Sequence, residues 1–600
     1  KYHGASMPTY QAPLQDYKFI IEDVLDTYKA YANIPQFSDV NSDFIDSILS
    51  EAGRFAEQEI QPLNQPGDEQ GCRVENGEVV TPDGYKEVSK KYIEGGWTQL
   101  SESTQYGGQG LPYILNGAIG EMNLSACAAF AIYSTRDGSI AAIEKNGSQE
   151  IKDKYLPKLV EGIWGGPMCM SEPHCGSDLG LLRTKAEPQA DGSFAITGTK
   201  MFITGGDADL GENSIMLVLA RIPGAPEGIK GISLFVVPKI LVNDDGSLGE
   251  RNHSSVGSIE HKMGLHGSAT CVMNYDGSKG FLIGKENKGM TAMFAMVNRS
   301  RFLIGQQGTA LAAVSYQNAA QYALDRIQMR ALTGPEQPEQ AADPIIVHPD
   351  VRRMLLTQKA FVEGSRALNL YVAKLFDELD YSTDENRKKH CQSLLDLLTP
   401  ICKGFNTEMG WECVNHGLQV FGGHGYIREN GMEQFVRDAR AAAIYEGTTG
   451  IQALDLLARK ILASKAETLM IFTNEINQFC KDHKDHKVVG KMAAELKAAT
   501  AQWLELTMSI GGAAMKNPND LGAASVDYLM YSGYVTLGYF WVRMAQAAAD
   551  KESQTPFTQA KLQTAQFYFD RILPRTLTLE RTIQAGSNSL MEMSAESFVL

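Results

Sequence analysis

All the strand-like sequence in this chain falls in one block. Between about residues 165 and 290 the chain is Gly-rich and β-branched, with short runs such as SFAITGTKMFITGG, SIMLVLARI and GISLFVVPKI broken by turn residues. Upstream, apolar residues recur at three and four, as in Phe44, Ile45, Ile48, Leu49, Ala52, Phe55 and Ala56, with Asn41 or Ser42 placed to cap. Long helical patterns return from Asn298, interrupted by TGPEQPEQAADP (333–344), whose three prolines make it a loop. Strands that do not alternate with helices argue against a doubly wound nucleotide fold. The glycines agree: the G-x-G occurrences at 108–110 and 423–425 lack the third glycine of a dinucleotide fingerprint, and neither a P-loop nor an HExxH is present. The expected architecture is mainly α with a central β domain. Residues 1–6 read as a tag remnant, 7–164 as an N-terminal α domain, 165–290 as a middle β domain, 291–465 as a C-terminal helical bundle and 466–600 as an additional helical domain.

Several function classes drop out on bulk properties. A net charge of −16 and a pI of about 5.3 oppose binding to phosphate backbones, so no nucleic acid partner is expected. The short cluster Arg387, Lys388, Lys389 reads as a solvated helix face. Nine scattered cysteines with no CxxC pair suit buried, reduced thiols of a cytoplasmic protein rather than a zinc site, and no metal is expected. No secretion signal is visible, because Asp16, Lys18, Glu22 and Asp23 stand where an apolar core would be needed. The most apolar run, Tyr528 to Val542, falls short of the ~20 residues that span a bilayer and reads as a core helix, with Gly533 and Gly538 admitting a close neighbour.

Four stretches carry candidate chemistry. PMCMSEPHCGSDLG (167–180) holds a Gly-Ser-Asp turn whose hydroxyls and amides suit a phosphate or the polar edge of a ring. In GTKMFITGG (198–206), alternation points Phe202 and Thr204 to one face, an aromatic platform beside a hydroxyl. RFLIGQQGTALAAVSYQNAAQYALDRIQMR (301–330) reads as a long helix with Arg301 near one end and Arg326 and Gln328 at the other. LQVFGGHGYIRENGMEQFVRDARAAAIYEGTTG (418–450) exposes backbone at adjacent glycines, and its lone His424 has no partner at ligand spacing. In it Glu446 follows the uncharged Ala441 to Ile444 and precedes Gly447, Thr448, Thr449 and Gly450, a turn and N-cap from which Ile451, Leu454 and Leu457 take up helical spacing. Read singly, these stretches suit ordinary turns and hairpins.

Together and in order, SEPxxGSD, GTKxxIT, QxxGGxGY and IYEGT resemble the acyl-CoA dehydrogenase family over about residues 40 to 465. The length, the EGTTGIQALDLLARK form and the appended domain resemble its large bacterial subgroup, which includes 3-methylmercaptopropionyl-CoA and long-chain acyl-CoA dehydrogenases. The resemblance implies an N-terminal helical domain, a middle β-barrel, a four-helix bundle and a bound FAD. The flavin would lie against Met168, Met170 and Ser171, with Ser177 near pyrophosphate and substrate and Phe202 and Thr204 flanking the ring. The adenine half would meet Arg326, Gln328, Gln419, Gly422 and Gly423 across a homodimer or larger assembly, with Thr448 completing the site. Glu446 falls where the family keeps its base, and Arg301 would neighbour the substrate. A carboxylate walled by apolar residues and a flavin loses hydration and becomes a stronger base. It would remove the α-proton of an acyl thioester while the β-hydrogen leaves as hydride to flavin N5, giving trans-2-enoyl-CoA.

The implied substrate is a medium- or long-chain fatty acyl-CoA or 3-methylmercaptopropionyl-CoA, and the implied electron acceptor an electron-transfer flavoprotein. Alternatives are an acyl-CoA oxidase that uses oxygen and an alkylation-response flavoprotein that binds DNA, the latter disfavoured by the acidic balance. The sequence departs from the family pattern at Gly450, at Ala458 with Arg459 one step on, at His174 and Cys175, and in the Pro-rich insertion 331–346. No catalytic constellation is visible in 466–600, where His483 and His486 read as solvated.

Overall fold

The computed structural model describes residues 8–599, so the segment read as a tag remnant lies outside the described residues. The chain forms two compact units: Lys1–Gly53, Asn116–Ser125 and Ile304–Leu600 make one, and Arg54–Leu115 and Ala126–Leu303 make the other. Both draw on the first 164 residues.

The second unit holds the β domain. A small hairpin pairs β1 (Arg73–Glu75) with β2 (Glu78–Val80). The rest are β3 (Trp164–Gly165), β4 (Met168–Cys169), β5 (Lys185–Pro188), β6 (Phe194–Thr204), β7 (Asn213–Arg221), β8 (Ile232–Pro238), β9 (Ile240–Val242), β10 (Leu248–Arg251), β11 (Ser254–Ile259) and β12 (Thr270–Ile283). Pairing runs β12 to β6, β6 to β5, β5 to β7, β7 to β8 and β8 back to β12, which closes the strands into the expected barrel. Strand β7 explains the unbroken run SIMLVLA. Ile215, Leu217 and Leu219 face a core with Leu156 and Leu159 of the Gln149–Glu161 helix, whereas Met216, Val218 and Ala220 face a second core with Ile196, Ile203 and Cys271. A strand buried on both faces has no reason to alternate.

The first unit is helical. Helices Gly289–Asp325, which begins in the other unit, Pro349–Tyr381 and Glu385–Val420 form the bundle, and Asn519–Ala549 packs on the latter two. Glycines set the approach: a Cβ on Gly308 would stand 2.4 Å from Asn406 O, and one on Gly410 2.5 Å from Gly308 O. The apolar run 528–542 is a core helix as expected, and Gly533 is the position where its neighbour comes close, since a Cβ there would meet the Phe405 ring at 2.1 Å. Among the described residues no helix is long and apolar enough to cross a membrane.

A buried charge network fastens the C-terminal region to this bundle. Arg366 reaches Asp16 at 2.6 Å and Glu121 at 2.9 Å, while Lys561 reaches Asp16 at 2.5 Å and also pairs with Glu363. Arg575 grips Glu412 with two hydrogen bonds of 3.0 and 2.8 Å. His486, expected to be solvated, instead contacts Asp550 at 2.8 Å and accepts the amides of Val488 and Val489, and His483 stacks on Phe479. The histidines of CKDHKDHK serve as turn caps, a role that charge pattern alone does not reveal.

Candidate active site

The candidate residues fall into two groups, one in each unit. In the barrel unit, β4 sets Met168 and Met170 half-buried on either side of the fully buried Cys169, and Ser171 follows. Glu172 and Cys175 then close a tight turn through paired backbone hydrogen bonds of 2.8 and 3.1 Å, leaving Ser177 exposed beyond it. Across from this loop, β6 is not a plain alternating strand. Its register to β12 slips between Lys200 opposite Met273 and Ile203 opposite Cys271, so Met201 and Phe202 together oppose Val272. Phe202 takes the bulge with φ 60° and stands 60% exposed, whereas Ile203 is 2% exposed and Thr204 again faces away from the core. An exposed aromatic held in the left-handed region is the kind of strain that surrounding structure must enforce.

That enforcement comes from Lys200, which the sequence reading passed over. Its ammonium, fully buried, donates to Met170 O at 3.0 Å and Glu172 Oε2 at 2.8 Å. Glu172 also accepts from Arg183 N, Thr184 N and Thr184 Oγ1 at 2.7, 3.2 and 2.9 Å. Burial pushes the Glu172 carboxyl up, but Lys200 and these donors overcome it and leave it below the usual carboxylate range. Met201 N adds a bond to Ser171 O at 2.9 Å, so the first two motifs are locked into one piece. Glu172, His174 and Cys175 offer ligand atoms within 4.8 Å of one another, yet Glu172 is already taken by this network and His174 Nε2 pairs with Leu181 O at 2.8 Å. Arg301 lies half-buried on the Gly289–Asp325 helix in the same unit.

In the helical unit the Gly289–Asp325 helix stops before Arg326, so Arg326 and Gln328 do not ride on it as the sequence suggested. They lie in an extended segment bridged through Ile327 to Pro344, with Gln328 N bonded to Asp343 O and Ile345 N to Arg326 O. The insertion is therefore a folded loop. Its organiser is the buried Asp343 carboxylate, which accepts from Ala331 N, Glu336 N and Gln337 N and from Arg330 Nη1 at 3.1 Å. Desolvation pushes Asp343 up, but these four donors outweigh it and hold its carboxyl well below the usual range. A depressed carboxyl contributes stability above its unfolded value, and that contribution is lost as pH falls through the lower folded value. Cleavage of the 331–342 segment by a protease should stay slow from neutral pH down through the ordinary carboxylate range, and speed up sharply at neutral pH in Asp343→Ala.

The Tyr322 ring stacks on Phe421 at 4.1 Å and its hydroxyl meets His424 Nδ1 at 3.3 Å, which brings the end of the Gly289–Asp325 helix to the turn Gly422–Tyr426. Gln419, Gly422 and Gly423 are exposed there, and a Cβ on either glycine would meet nothing within 4 Å. Met329, Leu332 and Tyr426 in these two segments are 77%, 89% and 82% exposed, an apolar surface on a loop edge.

Glu446 sits at the tip of the turn that follows Ala441–Ala443. Its φ is 57° and that of Gly447 is 93°, so two successive residues are left-handed. Helices on several sides hold this shape. Tyr445 OH donates to Gln307, Lys403 Nζ donates to Ala442 O at 2.7 Å, and Thr449 Oγ1 donates to Glu408 Oε1 at 2.7 Å. Gln452 Nε2 reaches Glu446 O and Gly447 O, both at 3.3 Å, and Thr448 Oγ1 caps the next helix by accepting Ile451 N at 3.4 Å. That helix widens into π-turns over Asp455–Leu462; Leu457 is buried as the spacing expects, but Leu454 is exposed and Gln452, Ala453 and Leu456 are buried instead. The Glu446 side chain is exposed, yet the protein around its carboxyl desolvates it enough to raise it above the usual range, with Lys403 opposing the rise. Its backbone N–H has no acceptor among the described residues. Gly447→Ala would force a Cβ to 2.6 Å from Gln452 Nε2 in a left-handed conformation. Thermal unfolding should register a loss of about 1–2 kcal/mol.

The comparisons with known proteins cover the whole arrangement. Family models match in chain order: acyl-CoA dehydrogenase N-terminal domain over residues 44–163, middle domain over 167–278, C-terminal domain over 287–462, and an acetyl-CoA dehydrogenase C-terminal-like domain over 472–594. A 3-methylmercaptopropionyl-CoA dehydrogenase of Ruegeria pomeroyi is 41% identical, covering 98% of this chain and 100% of that protein. The broad-specificity linear acyl-CoA dehydrogenase FadE5 of Mycobacterium tuberculosis is 34% identical over 99% and 100%. Among solved structures, Caenorhabditis elegans ACDH-11 in complex with C11-CoA aligns with a TM-score of 0.72 at 19% identity over 95% of this chain and 93% of its own. An acyl-CoA dehydrogenase from Bacillus anthracis complexed with FAD aligns with a TM-score of 0.71 at 20% identity over 94% and 95%. At these identities the structures speak to the fold.

Proposed function

Because the chain belongs to the acyl-CoA dehydrogenase family of oxidoreductases, we propose that it oxidises the Cα–Cβ bond of an acyl-CoA thioester with Glu446 as the base. The observation that carries this reading is that one residue offers both groups the reaction needs. The desolvated carboxyl of Glu446 is a strengthened proton acceptor, and its unpartnered amide N–H is a donor for the thioester oxygen as enolate character develops. The α-proton passes to a Glu446 carboxylate oxygen, the electron pair it leaves becomes the Cα–Cβ double bond, and the β-hydrogen departs with its two electrons, giving trans-2-enoyl-CoA.

The family's cofactor is FAD, and the residues fit it. The hydroxyls of Ser171, Ser177 and Thr204 make no hydrogen bond among the described residues, and they accompany the exposed ring of Phe202 and the half-buried Met168 and Met170. Such a set offers donors to a flavin's polar edge and apolar surface to its ring. When bound, FAD supplies the two-electron acceptor. The bare backbone at Gly422 and Gly423, with Arg326, Gln328 and Gln419 nearby, suits the adenine end of a neighbouring protomer's FAD, and the exposed Met329, Leu332 and Tyr426 suit burial in a homodimer. Thr448 acts here as the cap that fixes the turn, and Arg301 is proposed beside the substrate.

The names of the relatives support two substrate classes, 3-methylmercaptopropionyl-CoA and linear acyl-CoAs, and the proposed oxidant is an electron-transfer flavoprotein. Anaerobic bleaching of the bound flavin across a panel of both classes ranks them. Bleaching by none of them contradicts the proposed reaction, and stoichiometric hydrogen peroxide formed in air with no added acceptor would replace the electron-transfer flavoprotein by oxygen.

A further inference from the structure

Gln452 is buried on the helix that Thr448 caps, and its backbone N–H donates to Thr448 O at 3.0 Å. Its side chain turns back to the chain just before that cap, where Nε2 donates to Glu446 O and Gly447 O, both at 3.3 Å. A carbonyl only accepts, so the amide nitrogen is the end that faces this pair, while Oε1 has no partner among the described residues. Two bonds this long and a buried acceptor left over add little to stability, so the fold alone gives a weak reason for an amide here. The shape of the turn gives a stronger one. Glu446 holds φ 57°, a region that residues with a Cβ disfavour. The peptide planes on either side of it set where its carboxyl and its N–H point, and Gln452 holds the carbonyl of the second plane. Gly447 completes the match: it has φ 93°, and a Cβ there would stand 2.6 Å from Gln452 Nε2.

We propose that Gln452 is a positioning residue for proton abstraction, holding Glu446 in its left-handed conformation through the carbonyls of Glu446 and Gly447, so that the Glu446 carboxyl and N–H keep a common target. This rests on the reading of Glu446 as the base. Other groups hold the chain before Glu446: Tyr445 OH donates to Gln307, and Lys403 Nζ donates to Ala442 O. After it, Thr449 Oγ1 reaches Glu408, but the side-chain donor to the Glu446 backbone itself, among the described residues, is Gln452. With that donor gone, nothing on its C-terminal side keeps Glu446 from turning to a right-handed or extended conformation, which would swing its Cβ and its N–H away from a shared thioester.

Gln452→Met keeps the length of the side chain and removes its donor. Gln452→Asn keeps a donor one methylene short of the two carbonyls, and stands in if Met does not fold. Each is loaded with FAD and mixed anaerobically with an acyl-CoA that bleaches the parent. Flavin reduction should slow about 10- to 100-fold, the scale on which a small misplacement of a reacting group acts, while melting temperature, FAD content and acyl-CoA Kd change little. A second readout reports on the Glu446 N–H. The isotope-edited infrared band of the bound trans-2-enoyl-CoA product, 13C-labelled at its thioester carbonyl, should lie lower in the parent than in the variants, because a hydrogen bond lowers a carbonyl stretch. The rate loss should also shrink in a Glu446→Gln background, where no base is left to misplace. A folded, FAD-loaded variant that reduces flavin at the parent rate, or leaves the carbonyl band unmoved, overturns the inference. So does an equal rate loss in both backgrounds, which would make Gln452 a support for the fold alone. A Glu446→Gln enzyme that bleaches like the parent would instead overturn the reading on which the inference rests.

Discussion

Replacing Glu446 by Gln is expected to slow anaerobic flavin reduction by about 10²- to 10⁴-fold, the range over which a positioned general base contributes. The amide keeps the shape of the side chain and the backbone N–H, so FAD content and acyl-CoA binding should change little. Stability should hold or rise slightly, because a carboxyl whose ionisation is opposed by burial is a cost to the fold rather than a support. Stopped-flow absorbance checks the rate and differential scanning the melting point. A variant that bleaches as fast as the parent removes Glu446 from the reaction.

The second large effect lies in the barrel unit. Glu172→Ala would leave the Lys200 ammonium buried beside Met170 O with its carboxylate gone, and removing one partner of a buried pair costs ~3–5 kcal/mol. Lys200→Met should cost less, because Glu172 keeps the donors of Arg183 and Thr184. Denaturant unfolding of the two variants measures the asymmetry. FAD retention should follow it, since the pair ties the loop bearing Ser171 to the strand bearing Phe202. A negligible loss in Glu172→Ala would mean that the pair is not what holds the two segments.

How much of this was legible in the sequence depends on what each feature answers to. The β block was legible because turn residues and β-branched runs report strands locally, and the closed barrel followed from the family resemblance rather than from periodicity. The Thr448 cap and the Asn41 cap, whose Oδ1 accepts Phe44 N at 3.0 Å, were legible because capping is decided within one turn of helix. Arg326 and Gln328 were misplaced onto a helix because the stop after Asp325 is set by a bridge to Pro344, seventeen residues away from Ile327. Phe202's bulge was hidden for the same reason, since a register slip belongs to the partner strand as much as to its own. Lys200 and Lys403 carried a signal that went unread: a lysine inside an apolar run is either an error in the assignment of the core or a charge with a buried partner.

The most direct test of the central claim follows the α-proton itself. A thioester substrate deuterated at Cα is mixed with the anaerobic enzyme, and loss of label to solvent is followed by mass spectrometry before and after the flavin bleaches. Label should be lost with the parent protein and retained with FAD-loaded Glu446→Gln, which binds the thioester but has no carboxylate to take the deuteron. Loss of label at the same rate from both would show that another group removes it.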